Sequence, residues 1–297
     1  MRLISYRSGG ETRLGARAGD AVVDLHSVDP NVPTDIVALL EGGDAAMAAA
    51  RAALEKGAGQ SEHHAPADLE LLPVVPRPPK IICVARNYAE HAAEAKLDVL
   101  SEPNLFIRFA QSLIADGAPI QVPRVSKAVD WEAELAVIIG RGGRHVSKAD
   151  ALDHVAGYAI FNDVSIRDWQ IKKPPIQFGA GKNFDGSGPF GPDLVTADEI
   201  ADPGALAIEL TVNGVVKQSS TTASMIFDVP TLIEFLSGST TLLPGTVIMT
   251  GTPSGVGMAR EPPRYLRPGD VVTVEIEGIG ALTNSVAIEP IENRTGM

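Results

Sequence analysis

The chain has 297 residues, 44% of them hydrophobic and 21% charged, with a single Cys, which excludes a disordered chain and a disulfide-stapled secreted scaffold. Lys and Arg number 25 against 37 Asp and Glu, and the net charge of −12 argues against nucleic-acid and membrane-surface partners, because it repels polyphosphate and anionic lipid. The first ten residues, MRLISYRSGG, lack the apolar stretch of a signal peptide, and no apolar run reaches the roughly 18 residues of a membrane span, so a cytoplasmic address and a small-molecule partner are expected.

In chain order, Met1 to Tyr6 and Ala21 to Leu25 are strand-like, and the alanine-rich stretch from Asp44 to Leu54 has helical spacing. From Ala65 to Lys80, APADLELLPVVPRPPK holds five prolines, which forbid regular helix and keep the preceding residues extended. A domain boundary is expected there, with a small N-terminal cap over 1–70 and a second unit over 71–297. Short β-type runs follow at Lys80 to Val84, Glu132 to Gly140, Gly157 to Phe161, Ala207 to Asn213, Thr246 to Thr250, Val271 to Ile276 and Gly280 to Ile288. Cys83, inside the first run, reads as a small core hydrophobe. Asn213-Gly214 predicts a hairpin, since both residues tolerate the positive φ of a type I′ turn. Long helices do not alternate with these strands, so the class is α+β, mainly β, with a roll or barrel as the second unit.

Two glycine-rich stretches carry no nucleotide chemistry. Gly186-Ser187-Gly188-Pro189-Phe190-Gly191 matches G-x-G-x-x-G, but Pro189 and Pro192 prevent the helix that a dinucleotide site opens, and the segment reads as a loop. Gly179-Ala180-Gly181-Lys182 lacks the earlier glycine and the following hydroxyl of a phosphate loop.

The chemistry concentrates elsewhere. In Trp131 to Ile139, the strand period of two puts Glu132 and Glu134 on one face. Read alone, that pair fits a solvated strand start. A third carboxylate, Asp163, ends the apolar run Gly157 to Asn162, and three carboxylates at the ends of buried strands need a compensating cation or protons. An all-oxygen set favours Mg²⁺ or Mn²⁺ over Zn²⁺. His91 and Glu94 share a helix face at i, i+3, which suits either a water-activating pair or an ordinary surface pair. Arg167, Gln170 and Lys182 follow Asp163 and suit an anionic substrate, although Arg167 alone also reads as surface charge. Thr250 to Gly257 is a Gly-rich turn after an apolar strand, open to close approach by a ligand.

Taken in order, CVARNYAEHAAE, DWEAELAVIIG, GYAIFNDVSIRDWQ, GKNFDGSGPFGP, SMIFDV and MTGTPSGVG resemble the fumarylacetoacetate hydrolase family over residues 80 to about 288, in its acylpyruvate hydrolase and oxaloacetate decarboxylase-like branch. The resemblance implies a mixed β-roll catalytic domain behind a smaller N-terminal domain, usually a homodimer. It implies that Glu132, Glu134 and Asp163 ligate Mg²⁺ or Mn²⁺, that His91, Glu94 and Lys182 are catalytic, and that Arg86, Tyr88, Arg167, Gln170 and Thr252 contact substrate. Ala85 stands where relatives commonly have Gly. The implied activity is hydrolysis of a 2,4-diketo acid such as fumarylpyruvate to pyruvate and a carboxylic acid. Oxaloacetate decarboxylation and isomerisation of 2-hydroxyhepta-2,4-diene-1,7-dioate are its rivals, and a non-catalytic carboxylate binder is a more distant one. Acyl specificity is expected from the loops Trp169 to Phe178 and Met258 to Tyr265, where Lys172-Lys173 reads either as a clamp for a distal carboxylate or as solvated charge.

Overall fold

A computed structural model describes residues 1–58, 64–65, 68–94, 98–172 and 175–290; Lys173 lies outside them. The chain opens with a meander of β1 (Arg2–Ser8), β2 (Glu11–Ala18) and β3 (Ala21–Asp24), followed by α1 (Leu25–Val28), α2 (Ile36–Glu41) and α3 (Gly43–Gly57). Asp24 and Asp35 cap α1 and α2 by accepting from Ser27 N and Ala38 N, which satisfies first-turn donors. Next come β4 (Glu70–Leu71), β5 (Ile81–Ala85), α4 (Ala89–Glu94), β6 (Asn104–Ile107), β7 (Leu113–Ile114), β8 (Ile120–Val122), β9 (Val129–Asp130) and β10 (Ala133–Ile139). The rest is β11 (Val155–Asn162), β12 (Ser165–Ile166), α5 (Arg167–Gln170), α6 (Phe178–Lys182), β13 (Gly188–Thr196), β14 (Ala207–Val212), β15 (Val215–Thr221), α7 (Val229–Ser239), β16 (Val247–Met249), β17 (Val271–Ile276) and β18 (Gly280–Ile288).

A large mixed sheet runs β3-β2-β1-β13-β11-β10-β16-β5-β6, with β4 and β7 paired at its side, and a second sheet runs β15-β14-β17-β18-β8. Neither closes on itself among the described residues, so the expected roll is open rather than a barrel. β10 lies at the middle and is buried along its whole length. Leu135, Val137 and Ile139 share one core with the second sheet and α7, while Ala136 and Ile138 share another with α2 and α3. Burial on both faces explains why this strand reads as a continuous apolar run from Leu135 to Ile139. β1 pairs with β13, at Arg2 to Val195 and Leu3 to Leu194, so the N-terminal strands extend the same sheet that carries the site.

Each expected β run is a strand, the helical stretch is α3, and Cys83 is buried as expected. Asn213 and Gly214 have φ of 53° and 73° in the β14–β15 hairpin. One expectation is corrected. No helix opens at Gly186, but the segment is a loop only to Ser187, and β13 begins at Gly188. Pro192 falls in the register break between β13 and β11, where the ladder asks no N–H of it. No helix among the described residues is long and apolar enough to cross a membrane.

Candidate active site

The antiparallel register of β10 on β11 builds the carboxylate cluster. Ala133 pairs with Asn162 and Glu134 with Phe161, which brings Glu132, one residue earlier, beside Asp163, one residue later. Two bonds fix that junction: Asp163 N donates to Glu132 O at 2.8 Å, and Glu132 N donates to Asn162 Oδ1 at 3.0 Å. Glu132, Glu134 and Asp163 are all buried and offer one oxygen each within 4.8 Å of one another.

Three buried cations serve this cluster. Lys182 Nζ lies 2.7 Å from Glu132 Oε2, 2.5 Å from Asp163 Oδ2 and 2.9 Å from Ser165 Oγ. Arg167 donates to Glu132 Oε1 at 2.6 Å, Asp130 Oδ2 at 2.9 Å and Gln170 Oε1 at 2.8 Å. Arg108 pairs with Asp163 Oδ1 and donates to Ser187 Oγ at 2.6 Å. Burial alone would raise Glu132, but Lys182 and Arg167 outweigh it and hold its carboxyl far below the usual range. Among the described residues Glu134 accepts only from the Gly251 N–H, at 2.9 Å, and burial followed by repulsion from Asp163 and Glu132 pushes its carboxyl well above the ordinary value. Four buried carboxylates, Asp130 included, therefore face three cations, and the surplus sits at Glu134 inside a three-oxygen set. That donor chemistry fits a hard divalent cation.

His91 and Glu94 lie on α4, reached through a turn in which Arg86 has φ of 59°. Asn87 anchors the turn: its side chain donates to Thr250 O at 2.8 Å and Phe227 O at 3.0 Å and accepts from Phe227 N at 2.8 Å. His91 Nδ1 is 3.6 Å from Glu94 Oε2, just beyond hydrogen-bond reach, and has no other partner among the described residues. Glu94 instead accepts from Gly255 N at 3.0 and 3.1 Å. Burial disfavours its charge, yet His91 and that N–H outweigh burial and hold its carboxyl below the usual range. Gly255 has φ of 102°, and a Cβ there would stand 2.2 Å from Lys217 O, so the turn that carries this N–H requires glycine.

One cavity of about 580 Å³ unites the expected residues: Arg86, His91, Glu94, Glu132, Glu134, Asp163, Arg167, Gln170, Lys182 and Thr252 all line it. Tyr88 does not; its side chain is fully buried and its hydroxyl has no partner among the described residues. Arg167, expected at substrate, spends its three donor groups on Asp130, Glu132 and Gln170, so it braces the cluster. Thr252 is held by Gln218 Nε2 at 2.8 Å. Sequence reasoning missed Arg108 and Asp130. Asp130 accepts from Gly257 N at 2.6 Å and Met258 N at 2.9 Å besides Arg167, which ties the Gly-rich turn to the carboxylate strand. Arg108 carries the signal that exposed Asp163, a charge inside the apolar run Leu105 to Phe109.

Residues 80–287 match the family model described as fumarylacetoacetate (FAA) hydrolase, C-terminal. The chain is 42% identical over 292 residues to the mitochondrial oxaloacetate tautomerase fahd2 of Xenopus laevis, covering 96% of this chain and 90% of that one. It superposes on a fumarylacetoacetate hydrolase from psychrophilic Exiguobacterium antarcticum with a TM-score of 0.79 and 34% identity, covering 97% of this chain and 100% of that one. It also superposes on maleylpyruvate hydrolase from Sphingobium sp. SYK-6, in complex with manganese(II) and pyruvate, with a TM-score of 0.81 and 29% identity, covering 98% and 100%.

Proposed function

We propose, given that the chain belongs to the fumarylacetoacetate hydrolase family, that it is a divalent-metal-dependent enzyme that hydrolyses a carbon–carbon bond of a 2,4-diketo acid to pyruvate and a carboxylic acid. The observation that carries this reading is the single cavity whose lining holds both the carboxylate triad and the His91–Glu94 pair. Glu132, Glu134 and Asp163 would hold the ion, and Mg²⁺ or Mn²⁺, when bound, supplies a Lewis acid for the 2-oxo carboxylate end of the substrate. Lys182 and Arg167 keep Glu132 ionised and fixed.

His91 Nδ1 faces Glu94, which leaves Nε2 to take a proton from water, while the Glu94 carboxylate stabilises the imidazolium. The water oxygen adds to the C4 carbonyl, and the Lys182 ammonium adds positive charge beside the developing oxyanion. The C3–C4 bond then breaks, its electron pair passes to pyruvate enolate, and the proton held by His91 returns to C3. A second reading, keto–enol tautomerisation of oxaloacetate, is favoured by the whole-length likeness to the Xenopus oxaloacetate tautomerase. It uses His91 to move a proton and needs no attack by water. Turnover in ¹⁸O-water separates the two: hydrolysis places one solvent oxygen in the released carboxylic acid, whereas a tautomerase releases no acid.

Homodimerisation belongs to the same proposal. It is supported by β6, at the end of the large sheet, where Leu105, Ile107 and the following Phe109 are exposed. Light scattering is expected to give twice the mass of the chain.

A further inference from the structure

The reaction leaves one wall of the cavity unassigned, and apart from Asn104 that wall is apolar. Asn104 and Phe106, at i and i+2 on β6, both line the cavity, while the alternate residues Leu105 and Ile107 are exposed. The Phe106 ring stacks on Phe178 with centroids 5.3 Å apart and planes inclined by 17°. Lys182 Nζ stands 5.2 Å from the centroid of Phe106, so this aromatic wall begins at the carboxylate cluster. Phe178 opens the short helix α6 that ends at Lys182. Ile171 and Ile176 line the same cavity at 38% and 63% exposure, which puts apolar surface in contact with solvent at its rim.

The two buried cations of the cavity, Lys182 and Arg167, are engaged with the carboxylates of Asp163, Glu132 and Asp130. Arg86 is the lining cation without a hydrogen bond or ion pair among the described residues. Among the described residues a second carboxylate on the substrate finds no charge partner along Phe106 and Phe178, whereas a flat apolar group would cover both rings and lose little on leaving water.

We propose that the acyl end of the substrate is apolar and flat, an aryl or unsaturated hydrocarbon group, and that Phe106, Phe178 and Ile176 set this specificity. The inference rests on the 2,4-diketo-acid reading above. The test is calorimetric binding to Mn²⁺-loaded His91→Ala protein, in which turnover is slowed at least about 100-fold, of acetylpyruvate, 2,4-dioxo-4-phenylbutanoate and fumarylpyruvate, with oxalate as a chelating end that lacks an acyl group. The phenyl compound binds at least about tenfold tighter than acetylpyruvate, as the extra buried area predicts. Phe178→Ala and Ile176→Ser each remove most of that gain and leave oxalate affinity unchanged. Ile176 is exposed, so its variant keeps the test valid if Phe178→Ala disturbs α6. Equal affinity for methyl and phenyl compounds overturns the inference, as does tightest binding of fumarylpyruvate with that advantage lost in Arg86→Met. Turnover by the unmodified holoenzyme is scored separately. A phenyl preference without hydrolysis of any diketo acid sinks the hydrolase reading and supports the apolar wall, while hydrolysis without the preference sinks the wall alone.

Discussion

Glu134 is the carboxylate of the triad without an ion pair among the described residues, and its behaviour separates a metal site from a structural salt-bridge network. Its folded-state pKa is raised, so the stability linked to its proton is present below the unfolded value and is lost as pH rises through the folded value. Glu134→Gln removes that penalty. At pH 7 the metal-free variant is expected to unfold at the same urea concentration as the parent or a higher one, while losing the stabilisation by Mn²⁺. A large loss of metal-free stability would contradict the assignment. Lys182→Met acts in the opposite sense: it leaves Glu132 and Asp163 short of a cation, costing about 3 kcal/mol without metal, and tightens Mn²⁺ binding as turnover falls. Electron paramagnetic resonance titration of free Mn²⁺ reads the second effect. His91 touches none of the triad oxygens, so His91→Ala should spare Mn²⁺ affinity and lower kcat by about 10²- to 10⁴-fold. The triad was legible in sequence because acids at the ends of apolar strands are costly unless compensated. Arg108 and Asp130 were not read, because their partners, Asp163 and the N–H groups of Gly257 and Met258, lie far along the chain.

Short elements position these residues, and each depends on a few bonds. Asn87 joins the β5–α4 turn to Phe227 and Thr250, so Asn87→Ala strands buried backbone groups and is expected to cost about 3 kcal/mol. A lower urea midpoint with an unchanged slope checks this. In the N-terminal meander, Asp24 accepts from Tyr6 Oη at 2.6 Å and Arg13 Nε at 2.9 Å. Burial would raise Asp24, but the hydrogen bonds from Arg13, Tyr6 and Ser27 N–H outweigh it, and its pKa is lowered. A lowered carboxyl contributes stability above its unfolded value, and that contribution is lost as pH falls through the folded value. Asp24→Asn therefore costs about 2 kcal/mol at pH 7, and the gap to the parent closes below about pH 4. Among elements, the apolar runs of β5, β10 and β11 were readable, whereas β2 and β13 were not. The β2 sequence ETRLGARA is half polar, and β13 holds two prolines tolerated by its short pairings and register break.

For the whole molecule, strand order was the least legible property. The pairing of β1 with β13 joins residues nearly two hundred positions apart, and no local pattern announces it. The open roll and the N-terminal strands inside the main sheet follow from such contacts, so a boundary read from five prolines marks a change of composition but not of sheet. Metal binding should be felt by the entire fold, because the triad bridges two central strands. At a free Mn²⁺ concentration of about a hundred times Kd, the gain is about 2.7 kcal/mol, roughly 5 to 10 °C in the thermal midpoint. The most direct test of the account is pyruvate release from acylpyruvates and oxaloacetate by metal-stripped protein with and without Mn²⁺, with carbon dioxide and enol absorbance followed in parallel. Mn²⁺-dependent pyruvate from an acylpyruvate without carbon dioxide is expected, lowered at least about 100-fold in His91→Ala. Enol absorbance changing with oxaloacetate alone, and no pyruvate from any diketo acid, would contradict it.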